Sequence, residues 1–267
     1  MFYNLKEGKI DLGYTKFDYI AFGNGTKPLI MIQGLNTRGI KGAGASLALM
    51  YRIFAKDFRV YLFDRRENLD NGITVRDFAL DIAAAMEKLG VGCADVLGVS
   101  EGGMIAEYLA LERPELVNKL VLAVTLSRNN DTVVSVINRW VEFTENDNYR
   151  ALIRDMAEKM YSEKYMKRYK PFLPFLTLLQ KPKNAERFIS LAKSCLTCSC
   201  YGELSKIKCP TLIIGGGRDL IVTREASEEI AEALGCELHI YEELGHAAYE
   251  EAPDFNRRVY GFLISES

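Results

Sequence analysis

The segment Val96-Leu97-Gly98-Val99-Ser100-Glu101-Gly102-Gly103-Met104 joins an apolar strand pattern to a helical pattern across a single serine. The glycines on either side of Ser100 remove side chains that would clash in so tight a turn. Such a turn pushes the Ser100 hydroxyl out of the sheet, and the helix N-terminus behind it presents free N–H groups to the same place. Both features are typical of a nucleophile for acyl transfer, so we predict that Ser100 is functional.

The composition of the chain is that of a globular protein. It has 267 residues, of which 48% are hydrophobic and 26% charged, enough for one α/β domain with an insertion. The net charge of −2 argues against nucleic acid or an anionic membrane surface as a partner. No apolar run approaches the length of about 20 residues that crosses a membrane, and no leader peptide is evident. Because the six cysteines are scattered, we expect a reduced, cytoplasmic protein.

Apolar strand patterns alternate with helical patterns along most of the chain. Several strand patterns are apolar throughout, as expected where helices cover both faces of a sheet. The alternation predicts an α/β fold, with a mostly parallel central sheet and helices on both of its faces. The predicted strands are 19–22, 29–32, 60–63, 96–99, 120–124, 211–214 and 238–241, and the predicted helices are 47–54, 75–89, 103–112, 225–234 and 253–263.

The first two predicted strands flank a strong turn signal, Gly23-Asn24-Gly25. A short glycine-containing turn of this kind commonly joins two antiparallel neighbours. We therefore expect strands 19–22 and 29–32 to lie side by side as a hairpin.

The interval after residue 126 lacks a convincing strand pattern. Val133 and Ile137 begin one of several runs at helical spacing. We predict a helical cap of residues 127–205, inserted between core segments 1–126 and 206–267. Most of the many aromatic side chains of the cap are expected in its own small core, and a minority in a substrate pocket. The pocket residues that we expect are Gln33, Asn36, Trp140, Phe143 and Phe172.

A nucleophilic serine needs a base, and the chain contains two histidines. His239 lies inside a strand pattern and is predicted to be structural or at the surface. His246 lies in a loop just past the last predicted strand, at the sheet edge where a base for Ser100 belongs. Asp219 lies on a glycine-rich loop at the same edge and is the best candidate to orient the imidazole. Its less favoured competitors are Glu242, Glu243 and Asp131.

The order Ser100, Asp219, His246 is the nucleophile–acid–base order of the α/β-hydrolase fold. From about residue 19 to the C-terminus the chain resembles the cap-bearing serine hydrolases and esterases of that family. The resemblance includes the exit of the nucleophile helix, the proline-led strand before the acid, and the histidine loop with the last helix. The corresponding motifs are Leu111-Glu112-Arg113-Pro114-Glu115, Cys209-Pro210-Thr211-Leu212-Ile213-Ile214-Gly215, Gly245-His246 and Glu251-Ala252-Pro253-Asp254-Phe255.

The resemblance implies an oxyanion hole made by the backbone N–H groups of Leu35 and Glu101. This chain has Gln33-Gly34 where the family usually has His-Gly. Relatives commonly have an apolar or glutamine-like residue at position 101. The glutamate here either interacts favourably with the dipole of the helix that it begins, or it contacts the substrate or tunes His246. The family's Asp-x-Arg-Gly-x-Gly loop occurs here as Asp64-Arg65-Arg66-Glu67-Asn68, without glycines, which leaves room for an unusual substrate.

The cysteines of Cys195-Leu196-Thr197-Cys198-Ser199-Cys200 raise the hypothesis of a metal site. Zinc sites generally need two ligand pairs, and the sequence offers no second pair at suitable spacing. We therefore predict no metal site, and the chemistry expected of Ser100 requires no cofactor.

Together these features favour a serine hydrolase that cleaves a small or medium acyl ester, or a related carboxyl derivative, through an acyl-enzyme. The same triad can hydrolyse carbon–carbon bonds or carry out cofactor-free perhydrolysis, and both remain alternatives. A non-catalytic receptor for a hydrophobic ligand is a further alternative, against which the three triad residues argue. The expected partner is a small acyl substrate, and the sequence leaves the oligomeric state open.

Overall fold

A mostly parallel sheet of eight strands runs through the centre of the protein in the computed structural model, which describes residues 3–70 and 72–265. In space the strands follow the order β1-β2-β4-β3-β5-β6-β7-β8. The pairs β1–β2 and β2–β4 are antiparallel, and all other neighbours are parallel. The strands are β1 (Lys6–Asp11), β2 (Lys16–Phe22), β3 (Lys27–Ile32), β4 (Phe58–Phe63), β5 (Ala94–Val99), β6 (Val117–Ala123), β7 (Thr211–Gly216) and β8 (Glu237–Tyr241).

Helices cover both faces of this sheet, as the sequence predicted. Alternate residues of the strands pack on opposite sides: Ile30 and Ile32 belong to one buried cluster, Leu29 and Met31 to the other. This arrangement explains why the central strands are apolar throughout. The helices are α1 (Gly44–Met50), α2 (Val75–Lys88), α3 (Glu101–Glu112), α4 (Asp131–Glu145), α5 (Tyr149–Met160), α6 (Glu163–Tyr169), α7 (Leu173–Gln180), α8 (Ala185–Cys195), α9 (Arg224–Leu234), α10 (Ala248–Glu251) and α11 (Phe255–Ile264).

The expected hairpin between the first two predicted strands is wrong. β4 lies between β2 and β3, so that Val60 has Phe22 as its antiparallel partner and Leu29 as its parallel partner. The turn at Gly23–Gly25 packs instead against the backbone just before β4, because a Cβ on Gly25 would stand 1.9 Å from the carbonyl carbon of Asp57. The glycines serve this close approach rather than a two-strand turn.

Strand β1 is absent from the sequence-based prediction. Its residues, Lys6–Asp11, are mostly exposed, and only Ile10 is buried. It pairs along a single edge, with β2. An exposed edge strand needs no apolar run, so hydrophobic periodicity gives no signal for it.

Five α-helices, α4 to α8, fill the interval between β6 and β7. Among the described residues of this interval, extended pairing is limited to one isolated bridge between Arg128 and Ser199. The helical character of the segment agrees with the sequence pattern, whereas the division at 126/127 and 205/206 stays a prediction. In the part of the chain that the structure describes, no helix combines the length and the apolar character that a membrane span needs.

Candidate active site

Ser100 occupies the sharp corner between β5 and α3. Its backbone has φ 55° and ψ −121°. For any residue with a side chain this conformation is strained and destabilises the folded protein. The corner is possible because the neighbouring glycines have no side chains. A Cβ on Gly98 would lie 2.7 Å from the Cα of Gly103, and one on Gly102 would lie 2.0 Å from the carbonyl oxygen of Ile32. Thr125 secures the corner by donating its hydroxyl to the Ser100 carbonyl at 2.7 Å.

His246 and Asp219 meet Ser100 at the carboxyl ends of the parallel strands. His246 lies in the loop after β8, and its Nε2 atom is 2.9 Å from the Ser100 Oγ. Its Nδ1 atom is 2.8 Å from Oδ2 of Asp219, which lies in the loop after β7. Both His246 and Asp219 are buried. The sequence-predicted residues thus form a continuous line of hydrogen bonds from a carboxylate to a hydroxyl.

Asp219 is held in place by the start of the segment that follows it. Its Oδ1 accepts the backbone N–H groups of Ile221, at 2.8 Å, and Val222, at 3.1 Å. The other oxygen is thereby left for the imidazole of His246. A buried carboxylate in this position fixes the ring orientation and favours the imidazolium form.

The competing residues lie elsewhere. His239 is part of β8, and burial lowers its pKa. Glu242 and Glu243 form exposed ion pairs with Arg224 and Arg218. Asp131, the remaining competitor, is the exposed first residue of α4.

The loop after β3 brings Leu35 to the same corner. Gly34 is so close to the nucleophile that a Cβ there would stand 3.1 Å from the Ser100 Cβ. Within the described ranges, the N–H groups of Leu35 and Glu101 have no hydrogen-bond partner. Two unpaired donors beside a serine hydroxyl are what an oxyanion requires.

The side chain of Glu101 takes part in a buried ion pair that the sequence did not reveal. Its Oε2 lies 2.9 Å from Nη2 of Arg65, and the two residues are 1% and 3% exposed. Burial raises the pKa of the Glu101 carboxyl, an effect that the Arg65 guanidinium opposes. Glu101 and the glycine-free loop that contains Arg65 both depart from the family pattern, and the structure brings these two departures into contact.

Two adjoining cavities open beside Ser100. The inner cavity, about 40 Å³, touches Ser100 and His246 and is walled by apolar side chains that include Val133, Ile137 and Trp140. The outer cavity, about 380 Å³, extends along the loop after β3. Both are bounded by the same five residues, which connect them: Gly34, Leu35, Met156, Met160 and Tyr249.

The five expected pocket residues divide into two groups. Gln33 and Asn36 line the outer cavity, and Trp140 lines the inner one. Phe143 and Phe172 do not border either cavity, in contrast to our expectation. Phe143 packs against the protein core instead, and Phe172 is 58% exposed. Helical spacing gives the face of a helix but not what lies opposite it.

The cysteine motif lies behind the nucleophile helix. Cys198 and Cys200 come close to Glu107 of α3, with their ligand atoms within 4.8 Å of one another and all three residues buried. Cys200 donates to Glu107 at 3.2 Å and Ser127 donates to it at 2.6 Å. Burial raises the pKa of Glu107 well above its ordinary value. The shift favours the uncharged form of this hydrogen-bonded carboxyl.

Comparisons with known proteins identify the family of the chain. A family model described as alpha/beta hydrolase fold matches residues 27–253. A putative carbamate hydrolase RutD of Rhizobium rhizogenes is 26% identical over 242 residues, covering 86% of this chain and 91% of the relative. A 2-hydroxy-6-oxononadienedioate/2-hydroxy-6-oxononatrienedioate hydrolase of Pseudomonas putida is 26% identical, over 98% of this chain and 95% of its own.

Solved structures give the same fold. The enol-lactonase of Burkholderia xenovorans superposes with a TM-score of 0.84 at 22% identity, covering 97% of this chain and all of the other. An alpha/beta hydrolase from a Medee basin deep-sea metagenome library superposes with a TM-score of 0.85 at 20% identity, covering 97% of this chain and 98% of the other.

Proposed function

Because the chain belongs to the α/β-hydrolase fold family, whose members named above are hydrolases, we propose that it is a serine hydrolase that cleaves esters of short acyl groups. The observation that carries the proposal is the line of contacts from Asp219 through His246 to the strained Ser100, with spacings of 2.8 and 2.9 Å. A strained serine has a cost in stability, and a nucleophile is the role that accounts for it.

The reaction follows from this geometry. His246 removes the Ser100 proton as Oγ attacks the substrate carbonyl, and the carbonyl electron pair becomes an oxyanion. The N–H groups of Leu35 and Glu101 stabilise that charge. His246 then returns the proton to the leaving alcohol, which leaves an acyl-enzyme. In the second half of the reaction, His246 deprotonates a water molecule, which attacks the acyl-enzyme and releases the acid. Asp219 stabilises the imidazolium form of His246 in both halves.

The two cavities support a short acyl group. The inner cavity, about 40 Å³, is far smaller than the outer one, about 380 Å³. It is lined by apolar side chains, so it suits a small alkyl group. The outer cavity is about 380 Å³ and gives room for a larger alcohol portion.

Carbon–carbon bond hydrolysis is the second candidate, since the compounds in the name of the Pseudomonas putida hydrolase contain no ester bond. The substrate in that name is a dioate and therefore has two carboxylates. Apart from His246, Arg38 is the single cationic side chain among the described residues that line the two cavities, and Glu250 is acidic. This balance suits a neutral ester better than a dicarboxylate.

The test is hydrolysis of p-nitrophenyl esters from acetate to palmitate, with Ser100→Ala as control. We expect a maximum at the shortest chains and no turnover by the variant. Activity that peaks at long chains, or that persists in Ser100→Ala, would contradict the proposal.

Labelling with a fluorophosphonate separates the alternatives. Labelled protein without esterase activity points to carbon–carbon substrates or perhydrolysis, because the nucleophile is then reactive but the acyl class is wrong. Folded protein that stays unlabelled supports a receptor that binds a hydrophobic ligand without catalysis.

A further inference from the structure

Arg65 touches both sides of the proposed oxyanion hole. It lies in the loop after β4, and its Nη2 donates to the Glu101 carboxylate and to the backbone carbonyl of Gln33. Glu101 is the first residue of α3 and carries one of the two N–H donors. Gln33 belongs to the loop whose Leu35 carries the other. One buried guanidinium thus connects the two backbone segments that would hold the oxyanion.

These two segments also touch each other directly. A Cβ on Gly102 would stand 2.6 Å from the Gln33 carbonyl oxygen, the same oxygen that accepts from Arg65. The beginning of α3 therefore packs against the loop after β3 with no space between them. The hydrogen bonds of Arg65 stabilise this contact. If the loop shifted, the Leu35 N–H would move relative to Ser100.

The ion pair is expected to contribute little to the stability of the fold. Glu101 Oε1 and the Nε and Nη1 atoms of Arg65 are buried without a hydrogen-bond partner. Taking two charges out of water costs several kcal/mol per ion, and that cost is repaid only where the remaining polar atoms are satisfied. Apolar side chains of similar volume would commonly stabilise such a site as well or better. The pair is therefore better explained by a role other than stability.

The loop that carries Arg65 is held from the cap as well. Arg187 of α8 donates Nη2 to the backbone carbonyl of Arg65 at 3.0 Å and Nη1 to that of Arg66. The same Nη2 lies 3.4 Å from the Asp64 carboxylate. The backbone on which Arg65 depends is therefore fixed at both the sheet and the cap.

We propose that Arg65 is a positioning residue: paired with Glu101 and bonded to Gln33, it sets the spacing of the two oxyanion donors. The proposal rests on the proposed function, because the donors matter only if Ser100 attacks a carbonyl or a similar group. Arg65 lines neither of the two cavities beside Ser100. It acts through the backbone of residues 33–35 and 101.

The test uses a double variant, Arg65→Met with Glu101→Met. The single variant Arg65→Met leaves Glu101 buried and unpaired and is expected to unfold readily, whereas the double variant exchanges the pair for apolar side chains. With p-nitrophenyl acetate we expect kcat to fall about 10- to 100-fold and KM to change little, a smaller loss than removal of an oxyanion donor causes. The control is Arg66→Met with Asp81→Asn, which removes the neighbouring ion pair at 2.6 Å and leaves the oxyanion segments untouched.

A second readout reports on the oxyanion hole itself. A trifluoromethyl ketone adds to Ser100 and places a full oxyanion where the donors converge. The affinity of the ketone should fall in the double variant (Arg65→Met with Glu101→Met, the Met/Met variant) by the same factor as kcat. In the control variant it should stay unchanged. A folded Met/Met variant with wild-type kcat and wild-type affinity for the ketone would overturn the proposal.

The failure of the proposed function and the failure of the positioning role give different results in the wild type and in the double variant. If the wild type neither hydrolyses the ester nor reacts with a fluorophosphonate, the proposed function is wrong and the role of Arg65 falls with it. If the wild type is active and the Met/Met variant equals it, only the positioning role is wrong.

Discussion

Gly34 lies against the nucleophile: a Cβ at this position would stand 3.1 Å from the Ser100 Cβ and 3.6 Å from its Oγ. The loop after β3 and the strained turn at Ser100, here called the elbow, thus lie closer together than most side-chain contacts allow. The added methyl group in Gly34→Ala requires the loop and Ser100 to move apart by a few tenths of an ångström.

We therefore expect Gly34→Ala to reduce kcat by about 10-fold or more, since oxyanion donors act only at hydrogen-bonding distance. Steady-state kinetics with p-nitrophenyl acetate measure the effect. Gly92→Ala is the control, because nothing lies within 4 Å of a Cβ built there. Equal loss of activity in both variants would show that the close contact at Gly34 has no special importance.

The strained backbone of Ser100 predicts an unusual ranking of two inactive variants. At φ 55° and ψ −121°, glycine is free of the strain that alanine would keep. Strain of this kind costs about 1–3 kcal/mol, and the added flexibility of glycine in the unfolded chain offsets about 0.5–1 kcal/mol. Ser100→Gly should consequently be about 1 kcal/mol more stable than Ser100→Ala in chemical denaturation. The reverse ranking would mean that the elbow is not strained in solution.

Asp219→Asn should lower kcat by about 10⁴-fold while leaving the fold intact. The amide oxygen can still accept the N–H groups of Ile221 and Val222, but the amide group holds His246 in the wrong tautomer. Glu242→Gln is the matched control, because Glu242 pairs with Arg224 at the surface. A kcat for Asp219→Asn within about 10-fold of wild type would assign the orienting role to another residue.

The size of the inner cavity predicts a change in acyl preference. Ile137→Ala removes part of the cavity wall, so longer acyl chains should gain in kcat/KM relative to acetate. Val136→Ala, one position earlier in α4, removes a buried side chain that does not line the cavity and should leave the preference unchanged. Both variants lose stability, Ile137→Ala by about 2–5 kcal/mol, so the assay is run well below their unfolding temperatures. The same chain-length profile in both variants would place the acyl group elsewhere.

Because of the buried carboxyl of Glu107, the difference in stability between the wild type and Glu107→Gln should depend on pH. Burial raises its pKa in the folded protein well above the ordinary value of 4.5. The unfolded chain therefore loses this proton at lower pH than the folded protein does, and the stabilising effect of the neutral acid diminishes as the pH rises towards the folded pKa. The amide introduced by Glu107→Gln would keep an acceptor for the Ser127 hydroxyl and cannot ionise.

We accordingly expect the melting temperature of the wild type to fall relative to that of Glu107→Gln as the pH is raised from about 5 to about 8. Thermal unfolding at several pH values measures the difference. Asp155→Asn, the same acid-to-amide exchange at a partly exposed carboxylate that accepts from Trp140, serves as the control. A constant difference between wild type and Glu107→Gln would mean that Glu107 is ionised in the fold.

Much of the framework was predictable from local patterns. The strands β2 to β8 and the core helices other than α10 follow from runs of apolar residues, because burial on two faces or on one helical face leaves a periodic trace in the sequence. The elbow at Ser100 was predictable for a similar reason, since the glycines and the serine are neighbours along the chain. The edge strand β1 left no such trace, because its side chains are mostly exposed.

The sequence by itself determined the α/β class, the elbow at Ser100 and the chain order in which Asp219 and His246 follow it. Only the tertiary structure decided that β4 separates β2 from β3, that Arg65 pairs with Glu101 and that Trp140 rather than Phe143 faces the cavity. The physical reason is the range of the interactions involved. Periodicity and turn chemistry act over a few residues, whereas strand order, buried ion pairs and cavity walls depend on segments that meet only when the whole core packs.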